Sequence, residues 1–146
     1  MNREILFKAK RIDNGEWVEG SLITGVFCRL GQDIPYIFCP KEADYDCFED
    51  FSEENGIFEV QPESICQYTG LTDKNGKKIW ENDIVKANLD ESYPEDITYI
   101  KILWNECGFC VNENCSTDIW TLEKWDAEHF QVCGNIFDNP DLLEVE

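Results

Sequence analysis

The chain has 146 residues, 42% of them hydrophobic, and its 31 acidic and 12 basic residues give a net charge of −19. This hydrophobic content is enough to bury a core, so the composition excludes a globally disordered chain. The length fits a single domain over residues 1–146, with sub-lobes 1–60 and 61–146 as an alternative division. The negative charge disfavours direct binding to nucleic acid or to an anionic membrane.

The sequence shows no sign of export or of membrane insertion. It has no run of about 18 apolar residues, the length that a spanning helix needs. Residues 1–8 lack an apolar stretch followed by a small-residue cleavage site, which is the pattern of a secretion signal. We therefore expect a cytoplasmic protein, in whose reducing surroundings the eight cysteines stay thiols.

The first half of the chain predicts short strands separated by turns. The predicted strands are Ile5–Ala9, Glu16–Thr24, Tyr36–Cys39 and Ile57–Val60. The triplet Asp13-Asn14-Gly15 is typical of a turn and would join the first two of them. Residues 41–55 are acidic and aromatic, and we expect a loop with helical turns there, with one short helix as the alternative. A helical turn is predicted at residues 62–65.

The second half predicts a series of hairpins. Asp73-Lys74-Asn75-Gly76 contains Asn-Gly, the dipeptide best suited to the positive φ angles of a tight hairpin turn. Further strands are predicted at Ile79–Lys86, Ile97–Trp104, Phe109–Asn112 and Phe130–Phe137, with a helical turn within Leu122–His129. The pattern indicates a mainly β (α+β), hairpin-rich fold, with a small, partly open barrel in the C-terminal half.

Three segments spread over the chain carry a family resemblance. Residues 3–10 read REILFKAK, residues 67–85 read QYTGLTDKNGKKIWENDIV, and residues 134–143 read GNIFDNPDLL. In this order they resemble the YopX family of small phage and prophage proteins, whose core reads QYTGL-DKNG-IYEGDIV and whose end reads GNIYENPELL. The resemblance implies an accessory protein in the cytoplasm of a host bacterium, and it carries no established activity. Asn82 stands where the family commonly has glycine, so we expect the local backbone to differ there.

Four cysteines are the candidates for a metal site. The spacing of Cys107, Cys110 and Cys115 is C-x2-C-x4-C, and Cys133 could supply a fourth thiolate for a tetrahedral zinc ion. The family hairpin occurs at this place without cysteines, however, and no second C-x2-C completes a usual zinc ribbon. We therefore expect neither a metal nor another cofactor.

An acidic segment is the candidate partner-binding surface. Between Glu42 and Asp73 the chain has no lysine or arginine. Carboxylates along an extended surface can imitate the phosphates of a duplex and occupy the basic groove of a nucleic-acid-binding protein. A host protein of that kind is the partner that we expect, unless the segment is only a solvated loop. The residues that we assign to this surface are Glu42, Asp44, Asp46, Glu49, Asp50, Glu53 and Glu54.

The function that we predict is therefore non-catalytic binding of a host protein. One alternative is an oligomer that holds a small ligand between its subunits, in the manner of a phage counter-defence sponge. The other is an enzyme, for which His129, the only histidine, has no nucleophile context around it, and no glycine pattern cradles a phosphate. The five tryptophans could form a stacking platform for nucleic-acid bases, but with this net charge we expect them to pack in the core.

Overall fold

The computed structural model describes residues 4–43, 55–88, 92–93, 95–105, 108–113 and 119–143. Within these ranges the chain forms strands joined by turns, with one short helix, α1 (Lys124–Ala127). The strands are β1 (Phe7–Lys10), β2 (Trp17–Arg29), β3 (Gln32–Ala43), β4 (Asn55–Glu59), β5 (Cys66–Thr72), β6 (Lys78–Trp80), β7 (Asp83–Ala87), β8 (Thr98–Asn105), β9 (Gly108–Glu113), β10 (Trp120–Thr121) and β11 (Gln131–Asn135). Single 3-10 turns lie at Pro62–Ser64 and Pro140–Leu143. None of the helices in these ranges has the length and apolarity needed to span a membrane.

The strands form two antiparallel sheets, so the predicted mainly β, hairpin-rich fold is confirmed. The first sheet has the order β4-β3-β2-β1-β5-β6, and the second has the order β10-β9-β8-β7-β11. In the second sheet β7, β8, β9 and β10 pair in succession, and β11 pairs with the other side of β7. As far as the structure describes it, this sheet is open, with β10 and β11 at its edges, and it does not close into a barrel.

The chain divides into two compact units, Met1–Gln67 and Tyr68–Glu146, and the division falls inside β5. The core of the first unit is small. Its centre consists of Ala9, Ile37 and Val60, each at most 1% exposed. The partly buried residues that pack against this centre are Phe7, Val18, Leu22 and Ile65.

Strands β2 and β3 make a hairpin that is longer than predicted. β2 continues to Arg29 and β3 begins at Gln32, so Leu30 and Gly31 alone form the turn. Their φ angles are 53° and 80°, and two successive positive values are typical of a type I′ turn. Leucine is an unusual residue in that conformation, which is why the sequence did not indicate a turn here.

The core of the second unit lies on one face of the five-stranded sheet. Ile100 pairs with Val85 and Ile102 pairs with Val111, and alternate residues of paired strands share a face. All four are at most 6% exposed. Ala127 and Phe130, in and just after α1, belong to the same buried cluster. The predicted helical turn is therefore confirmed, and its apolar residues help to cover the sheet.

The predicted strand Ile79–Lys86 is interrupted at Asn82. This residue has a φ angle of 70°, which breaks the segment into β6 and β7. Its N–H donates to the Ile102 carbonyl at 2.7 Å, and its own carbonyl accepts from the Ile136 N–H at 3.1 Å. Asparagine tolerates the left-handed conformation better than most residues do. The sequence led us to expect that the backbone at Asn82 differs from the backbone at the family's glycine. Instead, Asn82 has a positive φ angle, which is a conformation that glycine favours.

Candidate functional site

The aspartate of the family-like hairpin is a structural residue. Asp73 is 5% exposed, and its Oδ1 accepts the backbone N–H groups of Asn75 at 2.8 Å and Lys77 at 2.9 Å. Its Oδ2 accepts the N–H of Val132 at 2.9 Å. Burial raises the pKa of this carboxyl, but the three N–H groups and the charge of Lys77 outweigh burial and hold the pKa below its ordinary value. The carboxylate therefore fastens the hairpin turn to β11.

Two more residues of the resemblance also hold turns. Asp83 is 2% exposed, and its Oδ2 accepts the Trp80 N–H at 2.8 Å. Asn135 Oδ1 accepts the N–H groups of Phe137 and Asp138, each at 2.9 Å. These side chains satisfy backbone donors that would otherwise lack a partner in a turn. These three signature residues thus have structural roles, because each holds a turn through its hydrogen bonds.

The cysteine candidates do not converge where they are described. Cys110 lies on β9 and Cys133 on β11, with β8 and β7 between them. Neighbouring strands are about 4.8 Å apart, so the two residues are separated by about 14 Å. Thiolates that share one zinc ion, each about 2.3 Å from the metal, lie much closer together. Cys133 is therefore not placed to complete a site with Cys110, and Cys107 and Cys115 lie outside the described residues.

Cys133 has an ordinary structural environment. Its thiol donates to the Ile84 carbonyl at 3.3 Å, and burial, the largest influence, raises its pKa. A raised pKa disfavours the thiolate, which is the reactive form of cysteine. Among the described residues, no group of three or more histidine, cysteine or acidic side chains is placed to hold a metal ion.

The predicted acidic surface falls mostly outside the described residues. Glu42 lies in β3, whereas Asp44, Asp46, Glu49, Asp50, Glu53 and Glu54 are in the part of the chain that the structure does not describe. Their assignment to a partner-binding surface stays a prediction from the sequence.

Three tryptophans are exposed, contrary to the expectation that all five pack in the core. Trp104 and Trp120 are each 48% exposed and Trp125 is 66% exposed. Trp80, at 4%, is buried as expected. Leaving an indole in water forgoes a large part of the free energy that its burial would provide. Exposed tryptophans that lie close to a cavity are therefore candidates for binding a partner or ligand.

Trp120 and Trp125 line a cleft of about 240 Å³ in the second unit, which we call the aromatic cleft. Its buried apolar residues are Ile100, Val111 and Phe130, which also belong to the core. The remaining lining residues are His129 and the polar side chains Asn88, Glu113 and Asp126. The cleft thus combines a rigid apolar base, two exposed indoles and a few polar groups, the usual composition of a small-molecule site.

Helix α1 positions one side of the aromatic cleft. Its N-terminus carries a capping box, in which Asp126 Oδ2 accepts the Glu123 N–H at 3.1 Å. After the helix, His129 Nδ1 lies 2.8 Å from the Trp125 carbonyl oxygen. Because that oxygen can only accept, Nδ1 carries the proton, and Nε2 is the acceptor in the neutral ring. The imidazole also lies against the Trp125 indole, with 4.3 Å between ring centroids.

Glu113 places a carboxylate on the apolar face of the sheet. It pairs with Ile100 across β8 and β9, and it follows the buried Val111 by two residues, so all three side chains share one face. No described residue donates a hydrogen bond to this carboxylate or forms an ion pair with it. The Glu113 side chain is half-buried and lines the cleft.

Little in the sequence indicates this site. Its residues come from β8, β9, β10, α1 and the segments next to them, and no local spacing connects them. One signal was present: Glu113 puts a charge where the alternation of β9 calls for an apolar side chain. His129 lies in the cleft, but the described lining contains no serine, threonine or cysteine that it could activate as a general base.

Comparison with known proteins agrees with the signature. Residues 6–144 match the family described as YopX protein. The fold resembles that of the crystal structure of protein EF1440 from Enterococcus faecalis, with a TM-score of 0.52 and 19% sequence identity, over 97% of this chain and 99% of that chain. At this identity the likeness shows a shared fold alone. No curated protein is similar enough to count as a match. Since the family match covers nearly the whole chain, the protein belongs to the YopX family.

Proposed function

We propose that this YopX-family protein is a non-catalytic binding protein that holds a small, planar ligand in the aromatic cleft. The observation that carries the proposal is the pair of exposed indoles, Trp120 and Trp125, on a cavity with a buried apolar base. A cavity of 150 Å³ accommodates benzene, so about 240 Å³ fits one ring with substituents or two fused rings. Stacking on an aromatic side chain contributes about 1–3 kcal/mol for each ring.

The proposal also rests on the hydrogen bonds that the polar side chains of the cleft make within the protein. One oxygen of Asp126 is occupied by the helix cap, and His129 Nδ1 by a backbone carbonyl. These contacts hold the wall of the cleft in place, and a preorganised wall lowers the entropic cost of binding. Fixed polar groups around a stacked ring provide orientation and specificity, which a binding protein needs without any bond-breaking chemistry.

The biological setting that we propose follows the family resemblance. In the cytoplasm of a bacterium that carries the phage or prophage, binding without turnover would remove a small molecule from the host. The cleft is formed by one unit of a single chain, so this version of the small-ligand alternative does not require a pocket between subunits. An oligomer would only multiply the number of sites.

A fragment screen on the full-length protein tests the proposal. One- and two-ring compounds are added to ¹⁵N-labelled protein, and the indole N–H signals are followed by NMR. We expect compounds that shift the Trp120 and Trp125 signals, and we expect W125A to weaken their binding by about tenfold or more.

W104A is the matched control for the screen. Trp104 is as exposed as Trp120, at 48%, but it packs edge-on against Phe109, with 4.9 Å between centroids, and does not line the cleft. Its replacement should leave fragment binding unchanged. If no compound shifts the cleft signals, or if W104A weakens binding as much as W125A does, the cleft is not a ligand site.

A second candidate function is the one predicted from the charge. The run from Glu42 to Asp73 without a basic residue, in a chain of net charge −19, supports a decoy for the groove of a basic host protein. The test is a pull-down from host lysate with the wild type and with E49K/D50K, washed at low and high salt. A nucleic-acid-binding protein that is displaced by added DNA and lost in the variant would support the decoy. Capture that neither DNA nor the variant changes would refute it.

A further inference from the structure

We infer that the ligand of the aromatic cleft carries a positive charge, as a small organic ammonium ion or an N-alkylated heteroaromatic cation of one or two rings. This inference rests on the proposed function and adds the chemical class of the ligand. It is drawn from three features of the cleft: its charged groups, the environment of Glu113, and the electrostatic character of its aromatic walls.

The charged groups of the lining are carboxylates. Glu113 and Asp126 line the cleft together with His129, and no lysine or arginine is among the described lining residues. Ligands that carry phosphate or carboxylate groups are usually held by arginine, lysine or several backbone N–H groups. The described lining contains neither arginine nor lysine, and its carboxylates would repel such an anion.

Glu113 is the most specific feature of the three. Its carboxylate shares the apolar face with Ile100 and Val111 and has no described partner. A carboxylate that is partly withdrawn from water next to apolar side chains gains from a cation, because the attraction between the two charges is less screened there than at an open surface. A cationic ligand above Ile100 would give Glu113 a partner that none of the described residues supplies.

The aromatic walls favour the same kind of ligand. The face of an indole carries negative electrostatic potential, and tryptophan is the side chain that attracts cations most strongly through its ring. Trp120 and Trp125 are exposed by 48% and 66%, so both have surface available to a ligand. Aromatic walls next to carboxylates are the means by which proteins recognise ammonium groups.

A series of three compounds with one ring and different charges tests the inference on the full-length protein. The compounds are 1-methylnicotinamide, a cation, nicotinamide, which is neutral, and nicotinate, an anion. Binding is measured from the shifts of the Trp120 and Trp125 indole N–H signals, with Trp104 as an internal reference. We expect the cation to bind about tenfold more tightly than nicotinamide and nicotinate to bind most weakly, with the cation's affinity falling as salt is added.

Variants connect the charge preference to Glu113. E113Q should lower the affinity for the cation about threefold or more and leave the affinity for nicotinamide unchanged. E128Q removes the same charge from an exposed residue next to His129 that does not line the cleft, and it should change neither affinity.

The outcomes separate the two proposals. Equal affinities for the cation and nicotinamide, or an E113Q protein that retains the full preference for the cation, would overturn the inference while the cleft remains a ligand site. Cleft signals that respond to compounds of the fragment screen but to none of the three pyridines would likewise overturn it. Cleft signals that respond to no compound at all would overturn the proposed function itself.

Discussion

Replacing Asp73 should remove a large part of the stability of the second unit. Three backbone N–H groups, those of Asn75, Lys77 and Val132, donate to its carboxylate at 2.8 to 2.9 Å. A hydrogen bond to a charged group contributes about 1.5–3 kcal/mol, and bonds that share one acceptor are not additive. We therefore expect D73A to lower the free energy of unfolding by about 3–5 kcal/mol.

The D73N substitution distinguishes the contributions of the two carboxylate oxygens to stability. Its amide oxygen can still accept from Asn75 and Lys77, but its NH₂ group faces the Val132 N–H, so two donors meet. We expect a loss of about 1.5–3 kcal/mol, smaller than that of D73A. The assay is urea unfolding followed by tryptophan fluorescence. Four of the five tryptophans lie in the second unit, so the signal reports mainly on that part of the chain.

The pH dependence of the free energy of unfolding gives an independent check on the role of Asp73. The pKa of Asp73 is lowered in the folded protein from its ordinary value of 3.8, so its stabilising effect is fully present above that pH and is lost as the pH falls through the folded pKa. The difference between wild type and D73A should therefore be constant near neutrality and shrink below pH 3.8. D96N, at an exposed aspartate, should change stability by less than about 0.5 kcal/mol at any pH. A loss below about 1 kcal/mol in D73A, or a difference that does not shrink in acid, would refute this account of the carboxylate.

Three further substitutions test backbone features, each by urea unfolding. N82V should lose about 1–3 kcal/mol because a β-branched residue is strained at a φ angle of 70°, whereas N82G should be nearly neutral; equal stabilities for the two would contradict the strain. L30N should gain about 0.5–1 kcal/mol, since Leu30 is 99% exposed at a φ angle of 53° and asparagine suits that turn position; a loss instead would mean that the leucine side chain makes a stabilising contact. G20A should lose about 3 kcal/mol or more because a Cβ atom there would overlap the Phe38 carbonyl, and a stable G20A protein would show that β2 and β3 can separate without cost.

The sequence predicted those parts of the fold that depend on local chemistry. Asn75-Gly76 indicated the turn between β5 and β6, although Gly76 has a positive φ angle there and Asn75 does not, and the connection spans residues 73–77. The alternation of apolar residues predicted β8. The long β2–β3 hairpin was underestimated because its turn is Leu30-Gly31 and because β3 contains Pro35, a residue type that disfavours strands. Proline lacks an N–H donor but keeps its carbonyl, which here accepts the Val60 N–H at 3.2 Å. Such a strand is recognised only when its partner is known.

The aromatic cleft could not be predicted because its parts meet only through long-range pairing. Glu113 reaches the cleft through its register with Ile100, and Trp120 lies opposite Val111. The net charge argued against a platform for nucleic-acid bases, so the tryptophans were expected in the core and exposed indoles were not predicted. The signature residues, in contrast, were recognised as a pattern, but their structural role became clear only from their hydrogen bonds.

The contact between Asp73 and Val132 has a consequence for a chain that is still being synthesised. The two residues are 59 positions apart, and at about 5–20 residues per second a ribosome needs about 3–12 seconds to add that many. Throughout this interval the Asn-Gly turn can form, but one carboxylate oxygen lacks its donor. A nascent chain that stalls before β11 therefore has a β5–β6 hairpin that lacks its hydrogen bond to Val132. Its sensitivity to a protease would distinguish it from the completed protein.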